Sequence, residues 1–560
     1  MRNPPRIDRR TFVKIGAASL GAWPFRGTPL EALAGETLYN GIMLPSPWPP
    51  RRRFADNHPI TPPYLADPPT VVPIDVGRQL FVDDFLIEET TLGRTFHRPT
   101  YHDANPVLRP ETDWEKRNEY ADRTNTAQNH TAMVFSDGVF FDPQDRMFKM
   151  WYMGGYRENT CLVVSRDGIR WERPAFDYRP GTNVVMSGGR DSGTVWLDHF
   201  AANPAERYKM ALFISESLNL HVSPDGVHWK LMGATGAAGD RSTFFYNPFR
   251  RVWAFGLRAS EDTLGGRFRQ YWENADFAAA SGWKGMQPVA WVKADSKDFT
   301  RPELARIPEL YNLDCVGYES LMLGLFTIWR GESATREKIN EVTVGFSRDG
   351  FHWDRPDRRA FLPVSETPGA WNYANVQSAG GCCLVVGDRL HFYVSGRAGE
   401  PGTGDPGTCT TGLATLRRDG FASMDWLPDE PGTVRRIRSG SSGGELTTRP
   451  LRFSGQHLFV NADLGTGGEL RVEVLDREGR VIAPFQREAC VPVRGNGTRL
   501  PVAWSAAADL QHVTGRDVRF RFQMTSGRLY AFWVSPWSTG ESRGYMAAGG
   551  PEFSGPVDAR

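Results

Sequence analysis

The segment Ser165-Arg166-Asp167-Gly168-Ile169-Arg170-Trp171 introduces a pattern, Ser-x-Asp-Gly-x-x-Trp, that returns at 223–229 and 347–353. The tryptophans of these segments are 58 and 124 residues apart, so the second interval is close to twice the first. We therefore expect a diverged copy between them, at 269–283, and a fifth, degenerate copy at 417–426. Self-similarity at a fixed period indicates a repeat architecture, here of five units of about sixty residues.

Each unit also alternates internally in the manner of β-strands. A turn at 142–145 precedes the apolar run 148–153, and the same order recurs at 203–210 and 247–253. Three or four strands per repeat predict an all-β fold, a five-bladed β-propeller over residues 75–434. Asp167, Asp225 and Asp349 are expected to stabilise outer turns through hydrogen bonds, while each tryptophan packs between blades.

The composition agrees with an all-β chain. The 560 residues include 58 glycines, 40 prolines and 12% aromatic residues, which describes many turns and many heavy side chains to bury. Lys+Arg 66 balances Asp+Glu 65, so the net charge of +1 disfavours nucleic acid as a partner. No stretch approaches the roughly 20 apolar residues that a membrane helix needs.

The character of the sequence changes beyond residue 434. Residues 435–444 are rich in Arg, Ser and Gly, and alternating segments follow at 458–461, 470–476 and 518–522. Period-2 patterning with regular turn signals predicts an antiparallel β-sandwich, so residues 435–560 are expected to form a second domain with a short tail.

The N-terminus has the order of an export signal. Arg9-Arg10 with Phe12 and Lys14 precedes a short apolar run and then Ala32-Leu33-Ala34, and it resembles a bacterial twin-arginine signal. We expect cleavage after Ala34, export to the periplasm or beyond, and an extended linker over 35–74.

The six cysteines show no ligand spacing for zinc. Cys382 and Cys383 lie in an apolar run, which favours buried core positions, and a disulfide elsewhere in the set is an alternative. We expect no metal centre and no cofactor, with a structural calcium ion on a propeller loop as the alternative.

The repeat form and the domain order resemble the invertase, levansucrase and arabinanase superfamily of glycoside hydrolases, families 32 and 43. The resemblance covers about residues 75–540 and rests on the Lys-Met-Trp-Tyr and Ser-x-Asp-Gly-x-x-Trp segments. It implies an oligo- or polysaccharide substrate and catalytic carboxylates in the propeller funnel. The superfamily's opening Asn-Asp-Pro-Asn or His-Asp-Pro motif is absent from this sequence, so its nucleophile has no direct counterpart here.

Catalytic residues are sought where the innermost strand of each blade begins, because these starts converge on the propeller axis. The starts identified in the sequence are 129–130, 191–192, 240–242, 318–320 and 375–378. Glu319 is the candidate general acid, because its apolar neighbours would raise the pKa of the carboxyl. It also resembles the superfamily's acid, with a structural ion pair to an arginine as the alternative.

The other candidates supply partner carboxylates and substrate contacts. Asp240, with Arg241 as a substrate-binding neighbour, resembles the superfamily's transition-state stabiliser, and Asp191 is the third carboxylate. Asp122 lies in a polar loop that could replace the carboxylate missing at the first start. The substrate-binding candidates at the remaining starts are Asn129, His130 and Gln377.

Three functions follow from this pattern. The first is an exported glycoside hydrolase that uses paired carboxylates, with a furanoside as one substrate class. The second is a non-catalytic carbohydrate-binding propeller, which the altered first start favours. The third is a lyase or a sialidase-like enzyme, which requires clustered arginines or a His/Tyr pair at the axis. No arginine triad can be recognised in the sequence.

Overall fold

The computed structural model describes residues 35–51, 53–54, 56–117, 129–261, 266–283, 287–304, 306–334, 336–399, 407–427 and 443–560. The predicted signal peptide and Asp122 lie outside these residues. The described part contains two α-helices of four residues each, α1 (Pro63–Ala66) and α2 (Asp113–Lys116). Its 3-10 helices are Pro204–Glu206, Ala278–Trp283, Pro302–Leu304, Arg487–Ala489 and Gln511–Val513. Strands make up the remaining regular structure, so the predicted all-β class is confirmed. None of the helices described here has the length and apolarity to cross a membrane.

Short strands at the N-terminal end precede three separate four-stranded sheets. The short strands are β1 (Val72–Pro73), β2 (Gln79–Leu80), β3 (Ile87–Thr90), β4 (Gly93–Phe96) and β5 (Thr100–Tyr101). The first sheet contains β6 (Ala132–Asp142), β7 (Met147–Gly154), β8 (Asn159–Ser165) and β9 (Val184–Met186). The second contains β10 (Gly193–Leu197), β11 (Tyr208–Ile214), β12 (Ser217–Ser223) and β13 (Lys230–Ala237). The third contains β14 (Thr243–Asn247), β15 (Val252–Glu261), β16 (Gly266–Asn274) and β17 (Val289–Lys293). All three are antiparallel with strands in chain order, as propeller blades require.

A larger sheet follows in the chain. Its strands are β18 (Glu309–Glu319), β19 (Leu321–Ser333), β20 (Arg336–Ser347), β21 (Asn375–Ser378), β22 (Leu384–Val386), β23 (Arg389–Arg397) and β24 (Cys409–Arg417). A single parallel pair, Asn340 with Asn375, joins the antiparallel group β18–β20 to the group that begins with β21. Strand β5 completes the second group by pairing with β24. The large sheet therefore divides naturally into two blade-like halves.

The first strand of each of these five sheets or halves lies at a common centre. Strand β6 contacts β10, β10 contacts β14, β14 contacts β18, β18 contacts β21, and β21 contacts β6. This closed cycle brings together residues that are up to 240 positions apart in the sequence. It agrees with a propeller axis, and the number of blades stays a prediction.

The repeated Ser-x-Asp-Gly turns have the structural role that was predicted. In the third copy, Asp349 Oδ1 accepts hydrogen bonds from the backbone N–H groups of Phe351 and His352, at 2.9 and 2.7 Å. Asp167 and Asp225 accept the equivalent pairs of bonds in their own turns. The glycines that follow have φ of 72°, 81° and 81°, the left-handed region that glycine adopts without a Cβ clash.

Aromatic side chains of one sheet fasten these turns to the next. Trp151 on β7 donates to the carbonyl of Gly226 at 2.8 Å, and Trp291 on β17 donates to that of Phe351 at 2.7 Å. Tyr393 on β23 donates to the carbonyl of Gly168 at 2.5 Å, which connects the last group of strands to the first sheet. The turns therefore hold the blades together.

Removing the aspartate of a buried turn should cost more stability than removing that of an exposed turn. Asp349 is buried and also contacts His352 Nδ1 at 2.5 Å, whereas the side chain of Asp225 is 45% exposed. We expect Asp349→Ala to lower the free energy of unfolding by about 3 kcal/mol, and Asp225→Ala by about 1 kcal/mol. Urea unfolding of the two variants and the wild type measures both values. Equal losses would show that burial of the turn does not matter.

Strands from both ends of the chain build a second pair of sheets. The strands that follow β24 are β25 (Ala422–Trp426), β26 (Gly444–Thr448), β27 (Leu451–Arg452), β28 (His457–Asp463), β29 (Leu470–Leu475), β30 (Asn496–Val502), β31 (Arg519–Met524), β32 (Gly527–Ser535) and β33 (Tyr545–Met546). One sheet has the order β30-β28-β32-β25-β4, with β2 also on β32, and the other has the order β29-β31-β26-β3. Both contribute to one hydrophobic core.

This arrangement differs from the predicted division of the chain. Strands β2 and β3 lie within 75–434 but pair with β32 and β26, which lie beyond residue 434. Strand β25, also within 75–434, pairs with β32 as well. The segment expected to be a linker contains α1 and buries Leu38 and Tyr64 in the second core. Strand β33 of the tail pairs with β18. The domain boundaries stay predictions, since pairing between distant strands leaves no local pattern in the sequence.

The cysteines of the described chain are all buried free thiols, including Cys382 and Cys383 as predicted. Their burial raises the pKa of both thiols, which agrees with core packing and not with redox chemistry.

Candidate functional site

A cavity of about 220 Å³ opens where the inner strands begin. Asp191 precedes β10, Asp240 precedes β14, and Asn375 is the first residue of β21, and all three line it. Tyr311, near the start of β18, lines the same cavity. The structure thus brings together two of the predicted carboxylates, Asp191 and Asp240, which are 49 residues apart in the sequence.

Both aspartates are ion-paired and still reach the cavity. Asp191 Oδ2 lies 2.8 Å from Arg157 Nη2, and Asp240 Oδ1 lies 2.5 Å from Arg258 Nη1. Their side chains are 17% and 31% exposed, so each carboxylate retains an accessible part. Ion-paired carboxylates at an open cavity are suited to act in their charged form as a nucleophile, a base or a charge stabiliser.

Glu337, the second residue of β20, is a carboxyl of the opposite kind. It lines the cavity but is 9% exposed. Burial raises the pKa of Glu337 above its ordinary value, and nearby Glu332 raises it further, although the backbone N–H of Lys338 and the charge of Arg397 oppose the shift. A carboxyl that keeps its proton is suited to donate it.

Sequence reasoning missed Glu337 because it searched only the starts of inner strands. Glu337 lies on the third strand of its group, beside the connection from β19 to β20. The signal was the charged run Arg336-Glu337-Lys338 at one end of two strands that are otherwise largely buried. Charged residues there indicate that the strand ends border a polar space.

Positive charge collects on one side of the cavity. Arg397 and Lys338 line it, with Lys338 Nζ donating to Tyr311 Oη at 3.0 Å. Although burial would raise the pKa of Tyr311, the charges of Lys338, Arg397 and Arg241 outweigh it and lower that pKa. The lowered pKa of Tyr311 therefore indicates a positive electrostatic potential in this part of the cavity.

A buried polar network lies near the cavity along the inner strands. Asp314 Oδ2 accepts hydrogen bonds from Ser136 Oγ at 3.3 Å, Asn312 Nδ2 at 2.8 Å and Ser378 Oγ at 2.5 Å. Burial raises the pKa of Asp314. Gln377 belongs to this buried region and donates to Asn375 Oδ1 at 2.8 Å. Its side chain does not line the cavity that the structure describes, and its contact with substrate stays a prediction.

Arg241 also lies just outside the cavity lining. Its guanidinium stacks on Phe135, 3.6 Å from the ring centroid, and donates to Ser136 Oγ at 3.0 Å. Phe135 itself lines the cavity, so Arg241 adjoins the cavity behind this ring. The positive charge of Arg241 contributes to the electrostatic potential of the cavity. Asn129, which is buried, and His130, which is exposed, precede β6, but the described lining includes neither.

The structure does not place Glu319 in the lining of this cavity, so its assignment as the general acid stays a prediction that the geometry does not support. Glu319 ends β18 and does not begin it, because Glu319-Ser320 forms the two-residue loop of the hairpin in which Tyr318 pairs with Leu321. Burial does raise the pKa of Glu319 in the expected direction, against Arg418 and Arg78. The side chain has no exposed surface and lies in ion pairs with these two arginines. The alternative, a structural ion pair, is what the structure contains.

A second cavity, of about 290 Å³, lies beside β17 and the turn after β20. Asp295 in its lining pairs with Arg358 at 2.7 Å, and burial raises the pKa of Asp354 to about 6. The lining of this second cavity comes from β17 and from loops, whereas the axial cavity lies where the inner strands begin. The axial cavity is therefore the candidate active site. Within the described residues, no group of three or more His, Cys, Asp or Glu side chains is placed to hold a metal ion.

No protein-family model and no curated protein matches this chain. Solved structures do match. A thermostable family-43 glycoside hydrolase is 10% identical, with a TM-score of 0.36, over 55% of this chain and 100% of its own. An exo-β-1,3-galactanase from Phanerochaete chrysosporium is 11% identical with a TM-score of 0.33, over 72% of this chain and 96% of its own. A fructofuranosidase from Schwanniomyces occidentalis complexed with fructose is 11% identical with a TM-score of 0.34, over 72% of this chain and 97% of its own.

Proposed function

We propose that this protein hydrolyses a glycosidic bond of an oligo- or polysaccharide in the axial cavity. The observation that carries the proposal is the presence, in one cavity, of a buried carboxyl with a raised pKa, Glu337, and of two ion-paired carboxylates, Asp191 and Asp240. Glycoside hydrolysis requires this division between a proton donor and a charged partner. The resemblance of the repeat to families 32 and 43 agrees with the proposal.

The roles follow from the environment of each group. Glu337 donates a proton to the leaving-group oxygen, since burial favours its neutral form. Asp191, held by Arg157, supplies the carboxylate that attacks the anomeric carbon or activates water, and Asp240 stabilises the positive charge that develops on the sugar ring. Tyr156 and Phe135 line the same cavity. Asp122, outside the described residues, stays a candidate for a further carboxylate.

The proposal predicts how the hydrolysis rate depends on pH. A proton donor must be protonated, so activity should fall as the pH rises through the pKa of Glu337, with a midpoint above the ordinary value of 4.5. A pH profile of kcat/KM measures this limb, and the limb should disappear in the residual activity of Glu337→Gln. An unchanged alkaline limb in this variant would assign the proton donor to another group.

A carbohydrate-binding protein without catalysis is the second candidate. It is favoured by one observation: among the described residues, the segment before β6 brings no carboxylate to the cavity, because Asn129 and His130 stand there. Saturable sugar binding without hydrolysis by the wild type would support this alternative.

We also propose export by the twin-arginine route, on the evidence of Arg9-Arg10 and the residues that follow. N-terminal sequencing of the exported protein is expected to begin at Gly35. An intact Met1 would contradict this expectation.

A further inference from the structure

The lining of the axial cavity holds three cations, Arg157, Lys338 and Arg397, as well as four carboxyl groups. Arg157 pairs with Asp191 at 2.8 Å. Arg258, which is not one of the lining residues, pairs with Asp240 of the lining at 2.5 Å. Two other cations in the lining, Arg397 and Lys338, have no carboxylate within 4.0 Å among the residues that the structure describes. The remaining carboxyls that face the cavity are Glu337 and the exposed Glu332.

Arg397 is the cation whose situation is most unusual. The residue is 8% exposed, and its Nε atom is buried without a hydrogen-bond partner in the described chain. Its guanidinium lies over the rings of Phe135 and Tyr156, 5.1 and 5.6 Å from their centroids. These aromatic contacts hold the guanidinium group in position and use none of its N–H groups, which can therefore donate hydrogen bonds to a ligand. A buried guanidinium without an anion is costly, so this geometry favours an anion supplied from outside the protein.

Lys338 holds its ammonium group toward the same side. Its Nζ donates to Tyr311 Oη at 3.0 Å and lies 4.2 and 4.9 Å from the ring centroids of Tyr311 and Trp329. Cation–π contacts orient the ammonium group without neutralising it. Two of the three N–H groups of an ammonium therefore stay available for an anion.

The region behind the cavity adds to the positive potential. Arg241 and Arg269 are fully buried there, and neither has a carboxylate partner within 4.0 Å in the described chain. Burial lowers the pKa of Arg269 to about 9, and the charge of Arg241 lowers it as well. Asp314 opposes them, but burial raises the pKa of that carboxyl, which weakens its compensation.

We propose that the sugar bound in the axial cavity is acidic and that Arg397 and Lys338 bind its anionic group. The inference deepens the proposed function and rests on it for the sugar nature of the ligand. The anionic group is a carboxylate or a sulfate, and both accept the charge-assisted hydrogen bonds that a guanidinium and an ammonium donate. A cavity of about 220 Å³ suits a single acidic sugar unit such as a uronic acid.

The proposal is tested by sugar binding to the whole exported chain, measured by calorimetry at low ionic strength. The probes are glucuronate, glucose and glucose 6-sulfate, with glucose as the neutral match to both acidic sugars. We expect at least one acidic sugar to bind about tenfold or more tightly than glucose. Glucuronate and the sulfate then distinguish the two anions. Equal affinities for all three sugars, or no saturable binding of either acidic sugar, would overturn the proposal.

Two variants test whether Arg397 and Lys338 cause the preference for acidic sugars over glucose. Arg397→Gln and Lys338→Met should each reduce it to within about threefold, with little change in the affinity for glucose. Arg170→Gln is the control, because Arg170 is an exposed arginine of an outer turn that pairs with Asp167. Thermal unfolding identifies a variant that has lost its fold. If Arg397→Gln does not fold, Lys338→Met decides, and an unchanged preference in that variant rejects the proposal.

Failure of this proposal and failure of the proposed function give different results. A protein that prefers acidic sugars but hydrolyses none refutes the hydrolase and leaves the anion site in place. Hydrolysis of neutral glycans without any preference for acidic ones refutes the anion site and leaves the hydrolase.

Discussion

Glu319→Gln is expected to lower the free energy of unfolding by about 3–5 kcal/mol, because it removes one partner from a buried ion-pair cluster. The Glu319 carboxylate lies 3.3 Å from Arg78 Nε and 2.9 Å from Arg418 Nη2, and it accepts a hydrogen bond from Ser542 Oγ at 2.7 Å. An amide in its place retains the shape but leaves the two buried guanidinium groups with less negative charge.

The cluster continues through a second carboxylate. Arg78 Nη1 lies 2.9 Å from Asp419 Oδ2, and Asp419 Oδ1 accepts from Tyr318 Oη at 2.6 Å. Burial alone would raise the pKa of Asp419, but Arg78 and Arg418 outweigh it and hold that pKa below its ordinary value. The cluster joins β18, the segment before β2, the turn after β24 and the C-terminal tail. Its disruption should therefore loosen the contact between the inner strands and the second pair of sheets.

Chemical denaturation of Glu319→Gln and the wild type measures this effect. Asp84→Asn is the matched control, because Asp84 is 75% exposed in its ion pair with Arg94. Exposed pairs contribute about 0–1 kcal/mol, so the control should change little. The hydrolysis rate per folded molecule should be unchanged in Glu319→Gln. A variant as stable as the wild type that has lost hydrolysis would restore Glu319 as the acid.

Glu337→Gln is expected to reduce kcat by about 10²–10⁴-fold, the contribution typical of a positioned general acid. Glutamine keeps the size of the side chain, so the fold should persist and the KM should change less than kcat. Aryl glycosides with good leaving groups need less protonation, and their hydrolysis should therefore be less affected than that of natural glycans.

The hairpin between β19 and β20 offers the control for this variant. Glu332 lines the same cavity but is exposed. Glu332→Gln should reduce kcat by less than about tenfold. Equal losses in the two variants would mean that the general charge of the cavity matters and not one proton donor.

Much of the architecture could be predicted from local patterns. The Ser-x-Asp-Gly-x-x-Trp segments identified the outer turns, because the hydrogen bonds that Asp349 makes depend only on residues within three positions. The starts of β10 and β14 were found from polar residues before apolar runs, and these placed Asp191 and Asp240 correctly at the cavity.

The same signal failed at Glu319, and the reason is physical. A polar pair between two apolar runs marks either the beginning of a strand or the loop of a two-residue hairpin. Glu319-Ser320 is the hairpin, and Glu319 has a φ of 48°, in the left-handed region that such loops use. The pairing of β2 with β32 and of β3 with β26 was equally inaccessible, because it joins segments several hundred residues apart.

The most direct measurement is sugar release by the purified protein from a panel of neutral and acidic polysaccharides, with Glu337→Gln and Glu319→Gln tested at equal folded concentration. We predict release by the wild type and by folded Glu319→Gln, and loss of about 10²-fold or more in Glu337→Gln. Release by Glu337→Gln at the wild-type rate, or binding without release by the wild type, would contradict hydrolysis in the axial cavity with Glu337 as its acid.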